Sequence, residues 1–291
     1  MVCNPCKQIA FTSSRDGNYE IYSVNADGTG LARLTDNDSY DGEPAWSPDG
    51  QRIAFVSGRD FDASGNLGVG SELYVMDTDG SNVERLTFSR SRAGRPTWSP
   101  DGTRIAYESF SDGSANLWEV PAGGGTPTLL FSSPGFDGLP AWSPDGTRLA
   151  LVSDWFAYDI VTDVFLINAD GSGFTAVTDG NIFDQVNYED PAWSPDGGRL
   201  AMTVSTRLGT FDYLTQIGLG GANGSDLALL PTLAGTTLDG VSVGTPSWSP
   251  DGTMVAYTSC SDGMCHVVWI KADGSARGEI IRNGWDPDWQ R

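Results

Sequence analysis

The chain has 291 residues, enough for one large β domain with a buried core. Its 38 acidic against 17 basic side chains leave a formal charge of −21, which argues against nucleic acid or anionic membrane surfaces as partners and favours cations or basic protein surfaces. No apolar run reaches the roughly 18 residues of a membrane span, and Met1-Val2-Cys3 reads as an initiator on a mature or excised segment without a leader peptide.

In chain order, Ile9-Ala10-Phe11 reads as a strand and Glu20-Ile21-Tyr22-Ser23 as the next. A turn at Asn25-Ala26-Asp27-Gly28 leads to a third strand over Leu31–Thr35. Then comes Pro44-Ala-Trp-Ser-Pro-Asp-Gly50. It recurs at Pro96–Gly102, Pro140–Gly146, Pro191–Gly197 and Pro246–Gly252, with a truncated copy at Pro287-Asp288-Trp289. The tryptophans are spaced by roughly 40–55 residues, the period of propeller blades rather than of helical solenoids.

Each unit reads as four strands. Strand A is the Pro-x-Trp-Ser segment, where proline is expected to start the strand. Ser-Pro-Asp-Gly makes a type I turn with a following bulge. Strand B follows as Ile53-Ala54-Phe55, Ile105-Ala106-Tyr107 and their equivalents, with the small alanine expected to make room for a tryptophan of the same or a neighbouring blade. Strand C is Leu73–Met76 and strand D is Val83–Thr87. Because the chain begins in mid-unit, Pro287–Gln290 must supply the strand A missing at the N-terminus. The expectation is an all-β, six-bladed β-propeller of four-stranded antiparallel blades, one domain over residues 1–291, closed by a blade built from both termini.

The pattern Pro-x-Trp-Ser-Pro-Asp-Gly-x-x-Ile-Ala-Phe … Ile-Tyr-x-x-Asn-x-Asp-Gly resembles the TolB-like six-bladed propellers, whose repeats are often called PD40, along the whole chain. Full TolB architecture adds an N-terminal α/β domain with no counterpart in these residues, so the resemblance implies the propeller module. It also implies an extracytoplasmic interaction module, periplasmic or extracellular, without catalytic activity of its own or beside a hydrolase domain.

Cys260 and Cys265 bracket a B–C hairpin loop, facing positions that suit a disulfide. Cys3 and Cys6 fit a small disulfide loop, a free dithiol or half a zinc site. The reading taken is two disulfides in an oxidising compartment.

The A–B and C–D turns are short and nearly uniform, whereas the B–C and D–A loops vary in length, and binding usually resides in such loops. Before each strand-A proline stand Glu43, Arg95, Leu139, Asp190, Thr245 and Asp286, expected near the mouth of the central channel. Three carboxylates and one guanidinium there suit a cation or basic group; equally, Arg95 neutralises its neighbours. Asp60-Phe-Asp62-Ala-Ser64-Gly65 resembles half of a calcium loop, and Asp36, Asp38 and Asp41 form a second acidic cluster. Trp155-Phe156-Ala-Tyr158 is an aromatic group suited to a sugar ring or a protein partner, or to capping its own blade. Arg59, Arg90, Arg92 and Arg95 form a basic patch that could receive a carboxylate or pair with Asp60 and Asp62.

Gly240-Val-Ser242-Val-Gly244 matches a nucleophile elbow in letters only: a strand follows it, and the lone His266 belongs to another strand. The favoured function is a monomeric, non-catalytic module that holds a protein, peptide or glycan on the B–C/D–A face, with calcium assistance. The alternative is a carbohydrate-active enzyme, or the accessory propeller of a hydrolase, acting through Glu43, Asp190 or Asp286.

Overall fold

The computed structural model describes residues 7–60, 70–89, 91–111, 113–155, 161–179, 186–209, 212–231 and 241–291. The N-terminal strands are β1 (Gln8–Ser13), β2 (Glu20–Asn25) and β3 (Ala32–Arg33). Blade 2 holds β4 (Asp41–Trp46), β5 (Arg52–Ser57), β6 (Glu72–Asp77) and β7 (Glu84–Arg85). Blade 3 holds β8 (Ala93–Trp98), β9 (Arg104–Ser109), β10 (Asn116–Pro121) and β11 (Thr128–Phe131). Blade 4 holds β12 (Asp137–Trp142), β13 (Arg148–Ser153), β14 (Asp163–Asn168) and β15 (Thr175–Ala176). Blade 5 holds β16 (Val186–Trp193), β17 (Arg199–Arg207), β18 (Tyr213–Gly221) and β19 (Ala228–Leu229). Blade 6 holds β20 (Ser242–Trp248), β21 (Met254–Ser261), β22 (Met264–Lys271) and β23 (Arg277–Arg282). The last strand, β24 (Trp285–Trp289), pairs antiparallel with β1, so blade 1 has the order β24-β1-β2-β3. The six sheets are all four-stranded and antiparallel, and the described residues contain no helix.

The repeated motif acts at the seams between blades. Each strand-B alanine packs with the motif tryptophan of the next blade: Ala10 with Trp46, Ala54 with Trp98, Ala106 with Trp142, Ala150 with Trp193, Ala201 with Trp248 and Ala256 with Trp289. A larger side chain would occupy the volume of the indole. Four seams add an arginine over the indole: Arg52 on Trp98, Arg104 on Trp142, Arg148 on Trp193 and Arg199 on Trp248, all within 5.2 Å of the ring centre.

Hydrogen bonding divides the seams into two kinds. Where strand A of the preceding blade carries alanine, the indole N–H donates to that alanine's carbonyl: Trp98 to Ala45, Trp193 to Ala141 and Trp248 to Ala192. Where it carries an oxygen-bearing side chain, that oxygen takes the tryptophan backbone N–H instead: Trp46 to Asp288, Trp142 to Thr97 and Trp289 to Ser247. In this second group the indole N–H is buried without a partner among the described residues.

The Ser-Pro-Asp-Gly turns form as the residue types dictate. In the first, the Gly50 N–H donates to the Ser47 carbonyl at 2.9 Å, Ser47 Oγ donates to Asp49 at 2.6 Å, and Gly50 has φ of 66°. Two expectations need correcting. The strand-A proline does not start its strand, because β4 begins at Asp41. It is tolerated because the backbone alternates: Ser47 N–H faces β5, Trp46 N–H faces away to Asp288, and Pro44 lies two residues back on that outward edge. Strand D is also shorter than expected, reduced to two residues in β3 and β7.

Candidate functional site

Each innermost strand breaks its ladder where it meets the channel. Between Gly42 and Ala45 the register with β5 slips so that Glu43 and Pro44 face one residue of β5, and the same slip recurs in the other blades. The bulge residue takes a left-handed conformation every time: Glu43, Arg95, Leu139, Asp190, Thr245 and Asp286 have φ between 48° and 55°. None of these is glycine, so the backbone holds a disfavoured geometry that turns six side chains into the channel. The N–H groups released from the ladder are taken by the preceding blade. Glu43 N–H donates to Thr12 Oγ1, Arg95 N–H to Glu43 Oε2 at 2.6 Å, Leu139 N–H to Glu108, Thr245 N–H to Asp190, and Asp286 N–H to Thr258 Oγ1.

The six residues named from sequence therefore converge, and they are coupled. Arg95 Nη1 lies 3.4 Å from Asp286 Oδ1 and 3.9 Å from Asp190 Oδ1, reaching from blade 3 to blades 1 and 5. Desolvation works against the Arg95 charge, but Asp286, Glu43 and Asp190 outweigh it and hold the guanidinium above its ordinary value. Asp286 is pushed up to about 6, chiefly by desolvation, with Glu43 and Asp190 adding to the shift and Arg95 opposing it. Burial, and next the Glu43 charge, raises Glu108 as well.

A cavity of about 440 Å³ extends from this ring. Its wall runs from Glu43 through Pro44, Ala45 and Trp46 to Pro48, and likewise around the other blades to Pro100, Pro144, Pro195 and Pro250. Those last prolines belong to the A–B turns. The charged ring thus forms one end of a cavity whose lining extends to the uniform A–B turns. The repeated motif, a scaffold element in sequence, also furnishes the cavity wall.

On the loop side of the ring, aromatic side chains pack against strand-A glycines. A Cβ on Gly42 would collide with the Tyr40 hydroxyl, and one on Gly138 would sit 2.5 Å from both the Phe136 ring and the Glu108 carboxylate. Tyr19 lies between Tyr40 and Trp285, with ring centres 5.7 and 5.5 Å away. Burial, with Glu43 and Asp286 nearby, raises the Tyr40 hydroxyl pKa. Sequence reasoning missed this group, although a signal existed: Tyr40-Asp41-Gly42 and Phe136-Asp137-Gly138 stand at the same distance before their motif prolines.

The arginines do not form one patch. Arg59 donates to Asp41 Oδ2 at 2.7 Å and lies over Phe55 and Tyr74, inside its own blade. Arg92, exposed, lies over Phe110 and 3.8 Å from Glu108, and Arg95 serves the channel. Arg90 lies outside the described residues. Trp155 is 46 % exposed and meets Phe174 edge-on at 5.7 Å, so it both caps its blade and faces solvent. Phe156 and Tyr158 lie outside the described residues.

Of the acidic clusters, Asp36 pairs with Arg33 at 2.8 Å, Asp38 is exposed, and Asp41 is buried against Arg59 and Asn37. Asp60 accepts from Tyr74 and from Arg85 at 2.9 Å, while Asp62 and Ser64 lie outside the described residues. Among the described residues no three His, Cys, Asp or Glu side chains come together as a metal site. Cys260 and Cys265 face each other across the β21–β22 hairpin and are joined as a disulfide, while Cys3 and Cys6 lie outside the described residues. Ser242 opens β20, with no helix after it, and His266 sits in β22, 4.0 Å from Glu279.

Fold and channel together define a six-bladed propeller sealed by its own termini. The family described as the TolB beta propeller domain (PD40) matches residues 62–225, and the chain belongs to that family. It is 39 % identical over 104 residues to an uncharacterized protein of Agrobacterium fabrum, covering 34 % of this chain and 35 % of that one. It is 38 % identical over 86 residues to the Tol-Pal system protein TolB of Geobacter sulfurreducens, covering 30 % of this chain and 18 % of that one. The matched segment thus spans about a third of the first relative and under a fifth of the second. Among solved structures, TolB from Acinetobacter baumannii superposes with a TM-score of 0.77 at 19 % identity, over 98 % of this chain and 66 % of that one. A putative TolB from Agrobacterium tumefaciens gives 0.70 at 21 % identity, over 97 % and 91 %. At these identities the structures speak to the fold alone.

Proposed function

We propose that this propeller is a non-catalytic binding module of the periplasm or extracellular space that holds a protein partner, peptide or glycan on its B–C/D–A end. One observation carries the reading. The A–B connections repeat one four-residue turn, whereas the B–C connections run from 262–263 after β21 to 58–71 after β5. Variation concentrated at one end of a uniform scaffold is the usual sign of recognition there. Exposed Arg92 and half-exposed Trp155 supply a charge and an aromatic anchor at that end. The relatives named as Tol-Pal system proteins support a periplasmic setting and a protein partner. Calcium held by Asp36, Asp38 and Asp41 or by Asp60, Asp62 and Ser64 would offset the acidic charge there.

The test is a peptide and glycan array followed by a product assay. Binding without turnover is expected, and Arg92→Ala with Trp155→Ala should weaken it at least about tenfold. Asp145→Asn, in an A–B turn, should leave it unchanged. Turnover abolished by Glu43→Gln, Asp190→Asn or Asp286→Asn in a folded protein would instead establish a carbohydrate-active enzyme. A melting temperature unmoved by millimolar calcium and by chelator would remove the calcium component.

A further inference from the structure

We propose that the cavity at the turn end is a second binding site, for a small organic cation: an ammonium or guanidinium group on an unbranched apolar stem. It lies at the opposite end from the loop surface and does not rest on that reading.

Shape and chemistry agree on this ligand. The volume of about 440 Å³ falls within the roughly 300–1,000 Å³ of small-molecule pockets. From Glu43 to Trp46 the strand rises roughly 10 Å at about 3.3 Å per residue and the turn prolines lie beyond it, so the site is deep and suits a slender ligand. The wall is mostly apolar, with Thr97, Ser247 and Asp288 among its polar members. Pro44, Pro96, Pro140, Pro191, Pro246 and Pro287 ring it at one level, and motif tryptophans and turn prolines complete it.

Hydrogen-bonding capacity is one-sided at the level of the prolines. An innermost strand would ordinarily present free N–H groups to the channel, but proline has none, and its position lies on the outward edge of the strand. Of the six neighbouring tryptophan backbone N–H groups, those of Trp46, Trp142 and Trp289 are already taken by Asp288, Thr97 and Ser247, while Trp98, Trp193 and Trp248 have alanine in that place. Around the proline ring itself the backbone offers a ligand acceptors and no donor. Charge follows the same sign: among the lining residues four carboxylates, Glu43, Asp190, Asp286 and Asp288, stand against Arg95 and Arg291. Arg95 holds its carboxylates at 3.4 and 3.9 Å, the looser end of ion pairing, so an incoming cation can share them. An anionic ligand would meet those carboxylates in a desolvated site.

The probe is n-hexylammonium, compared with hexanol and hexanoate, read by the indole N–H resonances of Trp98, Trp193 and Trp248 in the intact chain. Saturable shifts are expected with hexylammonium, weaker ones with hexanol and none with hexanoate. Asp190→Asn with Asp286→Asn should weaken hexylammonium at least about tenfold. Read at a pH of about 9, where Asp286 stays ionised without its arginine, Arg95→Met frees both carboxylates and should tighten it. Arg92→Ala with Trp155→Ala should leave it unchanged. Hexanoate binding as well as hexylammonium, no saturable shift in the folded protein, or weaker binding by Arg95→Met would each overturn the assignment. Because Arg95→Met decides the matter alone, the assignment stays testable even if the aspartate variant does not fold.

Discussion

Asp288 accepts the backbone N–H of Trp46 at 2.7 Å, a bond between residues 242 positions apart. Its other oxygen accepts from Ser247 Oγ at 3.2 Å, so one carboxylate ties the closing strand to the blades on both sides. Burial pushes its pKa up, while Arg291 and these hydrogen bonds pull it down. Asp288→Ala strands the Trp46 N–H and the Ser247 hydroxyl at the closure, and should cost about 1–3 kcal/mol in denaturant unfolding. Asp288→Asn, which keeps one acceptor, should cost less.

The alanine–tryptophan seam sets a steric prediction. Ala106 is fully buried, and the Trp142 it packs against is fully buried too. Ala106→Leu adds volume where the indole already fills the seam, and should destabilise by about 1–3 kcal/mol. Ala32→Leu, on the exposed β3, should change stability far less.

Why the seams were legible and the channel was not follows from what repeats. Trp46, Trp98, Trp142, Trp193, Trp248 and Trp289 recur with their alanines, because every seam poses the same packing problem. The blade count, the closure by Pro287–Gln290 and the ring from Glu43 to Asp286 could all be read that way. What packs around the ring does not repeat in sequence: Tyr40 and Phe136 lie against Gly42 and Gly138, and Arg95 reaches Asp286 and Asp190 in distant blades. Arg59 stands on the loop that precedes Arg92 on the same face, yet its partner is Asp41 of its own blade.

The channel ring should titrate near neutrality. Asp286 has a folded pKa of about 6 against about 4 unfolded, so its ionisation is harder in the folded state. Its contribution to stability is greatest at acid pH and declines as pH rises from about 4 to about 6, then stays level. A carbon-detected carboxyl titration should find a midpoint near 6. Arg95→Met removes the opposing cation and should move the midpoint higher; a lower midpoint in that variant would show that Arg95 does not interact with Asp286 as the geometry indicates.

The Cys260–Cys265 bridge spans directly opposed residues of a hairpin, so it closes only a short loop. Reduction should therefore cost roughly 1–3 kcal/mol and leave the fold intact. Peptide mapping under non-reducing conditions should find the two cysteines linked, and thermal melts with and without reductant should differ by a few degrees. Alkylation of both thiols in unreduced, unfolded protein would refute the bridge.

The division of labour between the two ends can be read in a single labelling experiment. A photoreactive amino acid is placed singly at Arg92 or Trp155 on the loop end, and at Asp101 or Asp145 on the turn end, and each protein is irradiated in a periplasmic extract. One dominant protein adduct from both loop-end positions, and none from either turn-end position, is the expected result. Adducts that form equally from both ends, or only from the turn end, would contradict a recognition surface built on the variable loops.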